Sequence, residues 1–301
     1  MSTSVQPAST ELDSLWKFGG LSPWRLTINI FHSISTDDLL DRASGLAFDF
    51  VLAFFPLMLF MLSVFGVFAA RGSTTFDYLI SYFTDFLPPS AAQLVDSIVD
   101  ELARNSGGGK LTFGIVAGVW FAAGGVSSMI STLNVIYRVR EARSWFRIRA
   151  IALGLTLVMA VLLLSALVIV LVGNHAADWL AVRFARGSFA LDAWQALRWP
   201  AAAFFVLFSF SLVYYVGPNL EYHRRHWITP GSLFSTLLWL ASSVCLRVYL
   251  HFFNTYSTTY GSLGAVMILL LWVYVTGLAF LIGGEINAEI ERAAAQGSPI
   301  S

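Results

Sequence analysis

The chain has 301 residues, 57% of them hydrophobic and 12% charged, with Lys+Arg and Asp+Glu balanced at 18 each. A soluble domain carries about 25% charged residues, so a water-soluble globule is excluded first. The even charge leaves no basic excess for nucleic acid. One cysteine, Cys245, allows neither an intrachain disulfide nor a multi-cysteine metal site, and in its apolar run it is expected as a small buried hydrophobe.

Residues 1–20 are polar, carry Glu11 and Asp13, and lack a basic lead into an apolar stretch. They are expected as a disordered tail, not a signal peptide. Residues 22–35 place Leu26, Ile30, Phe31 and Ile34 along an amphipathic helix suited to the membrane interface. The polar break Ser35-Thr36-Asp37-Asp38 ends it, with Thr36 or Asp37 positioned to cap the next helix.

Six windows then reach the roughly 20 apolar residues that a helix needs to cross hydrocarbon. They cover 45–70, 111–137, 148–173, 199–216, 231–253 and 261–287. The first connection, 71–110, holds an aromatic stretch at 76–87, the break Pro88-Pro89, and a helical repeat through Leu94, Val95, Ile98, Val99 and Leu102. Two surface helices on the outer leaflet are expected there, with a mobile lid as the alternative, and Ser106-Gly107-Gly108-Gly109 as a flexible joint. Residues 291–301 form a C-terminal tail. The fold class is therefore all-α: a polytopic membrane protein with one membrane domain over 21–290, about six transmembrane helices and interfacial amphipathic helices.

Basic residues orient it. Arg138, Arg140, Arg143, Arg147 and Arg149 cluster after the second span and Arg224 and Arg225 after the fourth; with Lys17, Arg25, Arg42 and Arg292 they make eleven, against six in the alternate connections. Both termini are expected in the cytoplasm.

Polar groups inside spans mark candidate sites, because hydrocarbon solvates them poorly. Asp49 lies about one turn inside the first span, seven residues before Pro56, whose ring removes a backbone hydrogen bond and can kink the helix. Asp49 is read as a paired structural carboxylate or a proton or substrate site. Glu285 and Glu289 share a helix face near the inner end of the last span, with Asn287 nearby, where two carboxylates can hold a cation or a basic headgroup and Arg292 is an available partner. Arg247 is the deepest basic residue, about 20 Å in axial depth from Glu285 and Asp49 at 1.5 Å per residue. It is expected to snorkel to headgroups, or to face a cavity as a phosphate ligand. Asn134, Tyr137 and Asn219 read as cap or turn residues.

Enzyme patterns are missing. His223 and His226 sit in a short basic loop with Glu221, and the chain contains neither an HExxH zinc pattern nor a G-x-S-x-G elbow. No metal, no cofactor and no catalytic residue is expected.

Several segments occur in the order of one known family. They are Ser44-Gly45-Leu46-Ala47-Phe48 through Phe55-Pro56-Leu57, Leu133-Asn134-Val135-Ile136-Tyr137 with Glu141-Ala142-Arg143-Ser144, and Pro218-Asn219 with Pro230-Gly231. Tyr260-Gly261-Ser262-Leu263-Gly264-Ala265, Trp272-Val273-Tyr274 and Gly283-Gly284-Glu285-Ile286-Asn287-Ala288 complete the set. Over roughly 25–290 the chain resembles the YihY/BrkB family of bacterial inner-membrane proteins, once labelled ribonuclease BN. The resemblance implies six helices in the cytoplasmic (inner) membrane and a transporter-like role with a lipid or amphipathic envelope molecule; the alternative is a non-transporting scaffold for envelope machinery. The implied partners are membrane lipids, envelope proteins or a second copy of the chain, and no nucleic acid. Glu285, Arg247, Asp49 and Asn287 are the expected substrate-binding residues.

Overall fold

The computed structural model describes residues 16–53, 108–184, 187–220, 227–252 and 262–295. Pro56, the rest of the first span and the expected outer-leaflet helices lie outside them. Among the described residues the structure is helical throughout: α1 (Pro23–Thr36), α2 (residues 39–53), α3 (Gly108–Ile136), α4 (Trp145–Phe184), α5 (Gly187–Val216), α6 (Pro230–Phe252) and α7 (Ser262–Ala295). Among the described residues, five stretches are long and apolar enough to cross a membrane: Val116–Ile136, Trp145–Ala166, Trp199–Val216, Pro230–Leu250 and Val266–Ala294.

The surface of these helices is that of a membrane protein. Val161, Phe204, Leu237, Val244 and Leu271 are exposed on spanning helices, while Ser209, Ser211, Ser232, Ser235, Thr236, Glu285 and Asn287 are buried. In water such an apolar exterior would drive aggregation; against lipid tails it is matched to its solvent. Cys245 follows the same logic and is exposed on α6, not buried as its apolar neighbourhood suggested.

Element lengths differ from the sequence reading in places. α4 has 40 residues, about 60 Å of helix, roughly twice the hydrocarbon thickness. The expected connection 174–198 is therefore largely helical: its alanines and leucines sustain α4 to Phe184, and α5 runs from Gly187. α5 carries Pro200 within it. Gly108 and Gly109, expected in a flexible joint, already belong to α3. α7 continues to Ala295 through residues assigned to the tail.

At the other end of the sequence, Phe18–Gly20 form a 3-10 turn within the stretch expected as a disordered tail. Gly19 makes this possible. Its φ of +63° is left-handed, and a Cβ there would lie 2.5 Å from the Ile290 carbonyl.

The chain folds as two compact units: 1–42, 129–240 and 278–301 form the first; 43–128 and 241–277 form the second. In the second unit, Gly277 of α7 faces Ala43 and Leu46 of α2, and the Trp272 indole donates to the Ser243 hydroxyl at 3.3 Å. The first unit holds the polar cluster described next.

Candidate functional site

α1 begins as its sequence dictates. Ser22 caps it by accepting from the Arg25 N–H at 3.3 Å, and Pro23 occupies the first turn, where its missing N–H costs nothing. Leu26 and Ser33 are buried, with Asn29, Ile30, Ile34 and Asp37 half-buried; Trp24, Ile28 and Phe31 point outward. The inward stripe docks on the end of α7. Leu26 packs with Ile286 and Ile290, and Ile30 joins them. Thr36 does not cap the next helix: its hydroxyl donates back to the His32 carbonyl at 3.0 Å, while Asp37 closes α1 and its own carbonyl accepts from Arg42 Nε at 2.8 Å. Asp38, at φ +49°, makes the turn into α2.

Beside the apolar stripe runs a polar one, antiparallel in register. Asn29 Nδ2 donates to Glu289 Oε2 at 3.1 Å. One turn along α1, the Ser33 hydroxyl lies beside the Glu285 carboxyl, which also lies in the field of Asp37. Glu285 is 0% exposed. Its Oε1 accepts from Arg292 Nη2 at 2.5 Å, and the same nitrogen donates to Glu289 Oε1 at 2.7 Å. Arg292 Nη1 reaches the Ile136 carbonyl at 3.4 Å and satisfies an open acceptor at the end of α3. Three buried polar atoms here have no hydrogen-bond partner among the described residues: Glu285 Oε2, Asp37 Oδ2 and Arg292 Nε.

Asn287 works differently. Its Oδ1 accepts from the Gly231 N–H at 2.9 Å and so caps the start of α6 from a neighbouring helix, leaving Nδ2 buried without a partner among the described residues. Thr229 and Ser232 complete that start by exchanging reciprocal hydrogen bonds at 3.1 and 3.2 Å, and Pro230 stands in the first turn. α6 and α7 cross at glycine. A Cβ on Gly231 would collide with the Gly283 carbonyl, and one on Gly283 with the Ser235 hydroxyl. Around this crossing, Tyr214 Oη contacts Ser235 Oγ at 2.7 Å and the Phe280 carbonyl at 2.5 Å, while Ser235 Oγ contacts the Gly231 carbonyl at 2.8 Å. Two hydroxyl protons thus serve three contacts.

A second polar clasp ties two loops in the same unit. Asn134, read as a cap, instead bridges them: Nδ2 donates to Glu141 Oε2 at 2.7 Å and Oδ1 accepts from the Asn219 N–H at 2.8 Å. Arg143 holds Glu141 with Nε at 2.8 Å and Nη2 at 2.7 Å, and Nη2 also reaches the Gly217 carbonyl at 2.8 Å. The forked side-chain bond from Arg143 pulls the Glu141 carboxyl down to about 2 from its ordinary 4.5, against partial desolvation.

The remaining expected site residues fall elsewhere. Asp49 is half-buried on α2, close to Gly125 of α3. Arg247 is exposed on α6, so its guanidinium is open to groups outside the protein. Pro56 lies outside the described residues. Glu285, Glu289 and Arg292 were legible as neighbours on one helix face. Asn29 was missed as a hydrogen-bond partner of Glu289, although a spacing of four residues places it on one stripe of α1 with Ser33. Among the described residues, no group of three or more His, Cys, Asp or Glu is arranged to hold a metal ion.

Comparison with known proteins gives a consistent picture. The family model described as virulence factor BrkB matches residues 30–300. The ribonuclease-like protein YfkH of Bacillus subtilis is 32% identical over 251 residues, covering 83% of this chain and 90% of that one. A UPF0761 membrane protein of Aliivibrio salmonicida is 28% identical over 292 residues, covering 93% and 87%. One from Haemophilus influenzae is 25% identical over 265 residues, covering 87% and 94%. No solved structure matches the chain.

Proposed function

The chain belongs to the BrkB family of membrane proteins, and from that premise we propose that it is a transporter-like protein of the bacterial cytoplasmic membrane that handles a lipid or other amphipathic envelope molecule. The observation that carries this reading is Glu285: a fully buried carboxylate in a membrane-spanning helix, with one oxygen unpartnered among the described residues. Burying such a group costs several kcal/mol in order of magnitude, so ionisable residues in spans generally mark pathways for substrates or ions. A scaffold needs no such group. The excess of eleven basic residues over six supports both termini on the cytoplasmic side. On that orientation the Glu285 cluster serves the inner face, and exposed Arg247, toward the outer half of its span, offers a phosphate contact to lipid headgroups. The reading assigns the protein no chemical reaction and no nucleic-acid partner.

The test is mass spectrometry of lipids that copurify with the protein in mild detergent, comparing wild type with Glu285→Gln and Arg247→Ala. Enrichment of one lipid class in wild type, lost in either variant, supports lipid handling. Bulk membrane lipid in all three sinks it and favours the scaffold, with envelope proteins or a second copy as partner.

A further inference from the structure

Where α1 docks on the end of α7, three carboxylates (Asp37, Glu285, Glu289) face two guanidiniums (Arg42, Arg292). Arg292 is shared between Glu285 and Glu289, and Arg42 spends its Nε on the Asp37 backbone carbonyl, not its carboxylate. Two buried carboxylate oxygens, Glu285 Oε2 and Asp37 Oδ2, have no hydrogen-bond partner among the described residues. Ser33, buried between the apolar contacts of α1, adds a hydroxyl oxygen beside Glu285. Uncompensated charge in such a place is strongly unfavourable, and acceptor oxygens without donors call for a positive ligand.

We propose that this interface binds one monovalent cation, a proton or Na+, with Glu285 Oε2 as the principal ligand and the Ser33 hydroxyl and Asp37 carboxylate as supporting oxygens. The complete burial of Glu285 excludes a lipid ammonium headgroup, which would have to bring its bulk through packed helices. A divalent ion is disfavoured because Ca2+ and Mg2+ take about six or more oxygen ligands, more than these three residues supply. The ligand oxygens come from two helices, so occupancy stabilises the docking of α1 on α7. If the protein is transporter-like, the site gives it a cation to couple to; the inference rests on that reading only for its purpose, not for the binding itself.

The test uses the full chain in mild detergent, with thermal unfolding followed by tryptophan fluorescence. In one arm Na+ replaces choline at constant ionic strength and pH. In the other, pH runs from 5 to 9 without Na+, above the range in which Glu141 titrates. Ligand binding to the folded state raises Tm by about 2–4 °C for each tenfold increase in saturating ligand. A rise with Na+ in wild type, absent in Glu285→Gln, identifies Na+. A Tm that falls as pH rises in wild type, flat in Glu285→Gln, identifies a proton. His32 is exposed on α1 and present in both proteins, so the difference between them removes its contribution. A wild type flat in both arms, or a response retained in Glu285→Gln, overturns the proposal. Asp37→Asn neutralises the supporting carboxylate without touching Glu285 and serves where Glu285→Gln does not accumulate; its response must also be lost. A wild type that is flat in both arms yet still enriches one lipid class would remove the site while leaving the lipid reading intact.

Discussion

Replacing Gly283 with alanine places a methyl group in the crossing of α6 and α7. The new Cβ would collide with Ser235 Oγ and lie 2.5 Å from the Gly231 carbonyl and 2.7 Å from Tyr214 Oη. Relieving the last two contacts to ordinary distance needs about 0.7–0.9 Å of separation, and the Ser235 hydroxyl must move further still, which a close-packed interior resists. Overpacking of this kind costs about 1–3 kcal/mol. Moving Ser235 or Tyr214 also strands a buried hydroxyl or the Phe280 carbonyl, a further 1–3 kcal/mol or so. The gain in helix propensity from Gly to Ala returns about 0.5–1 kcal/mol. The net expectation is a loss of about 3 kcal/mol, read by unfolding in mixed detergent micelles with circular dichroism. Gly45→Ala and Gly154→Ala are internal standards, since a Cβ at either meets nothing within 4 Å. They should lie within about 1 kcal/mol of wild type, on the stabilising side. A Gly283→Ala protein as stable as these two would refute the close crossing and the hydroxyl network built around it.

Arg292→Ala leaves Glu285 and Glu289 without their shared cation and should destabilise by about 3–5 kcal/mol, while adding Glu285→Gln should recover part of the loss; equal stability of the single and double variants would refute the ion pair. Asn134→Ala removes the bridge between the two loops and should cost about 2–3 kcal/mol, with faster amide exchange at Asn219 as the local signature. Because the Glu141 carboxyl is held near 2, its contribution is complete above about pH 4.5 and is lost as pH falls through about 2. Glu141 is partly exposed, so the effect is at most about 1 kcal/mol; Glu141→Gln should flatten that part of an acid titration, and an unchanged profile would contradict the Arg143 clasp.

The membrane class and most spans were legible because they depend on the length of apolar runs, a property of the chain read in one dimension. α1 was legible for a similar reason: Ser22-Pro23 announces its start, and the spacing of Leu26, Ile30 and Ile34 gives its face. What that face meets was not legible. The sequence reading laid α1 on the interface, and the structure uses its inward stripe to cover the end of α7 while Trp24, Ile28 and Phe31 remain outward. α4 and α5 run beyond the predicted spans because hydropathy ends a span where apolar residues thin out, whereas a helix ends where backbone geometry breaks. Glu285 stood out as a polar residue near the end of an apolar run, but its burial did not, since proximity to the membrane edge suggested solvation.

Asn287 shows the limit most clearly. Its position beside Glu285 suggested a shared site, yet its oxygen caps α6, through a contact spanning 56 residues of sequence. The Asn29–Glu289 bond spans 260 residues and the Arg292–Ile136 bond 156. The sequence by itself determined which segments are long and apolar enough to enter the membrane and which polar residues lie in them, because transfer free energy is a local sum over side chains. Only the tertiary structure decided which of those polar groups face one another and which are left unpaired, because a hydrogen bond is fixed by distance and direction between helices that the periodicity of neither one encodes.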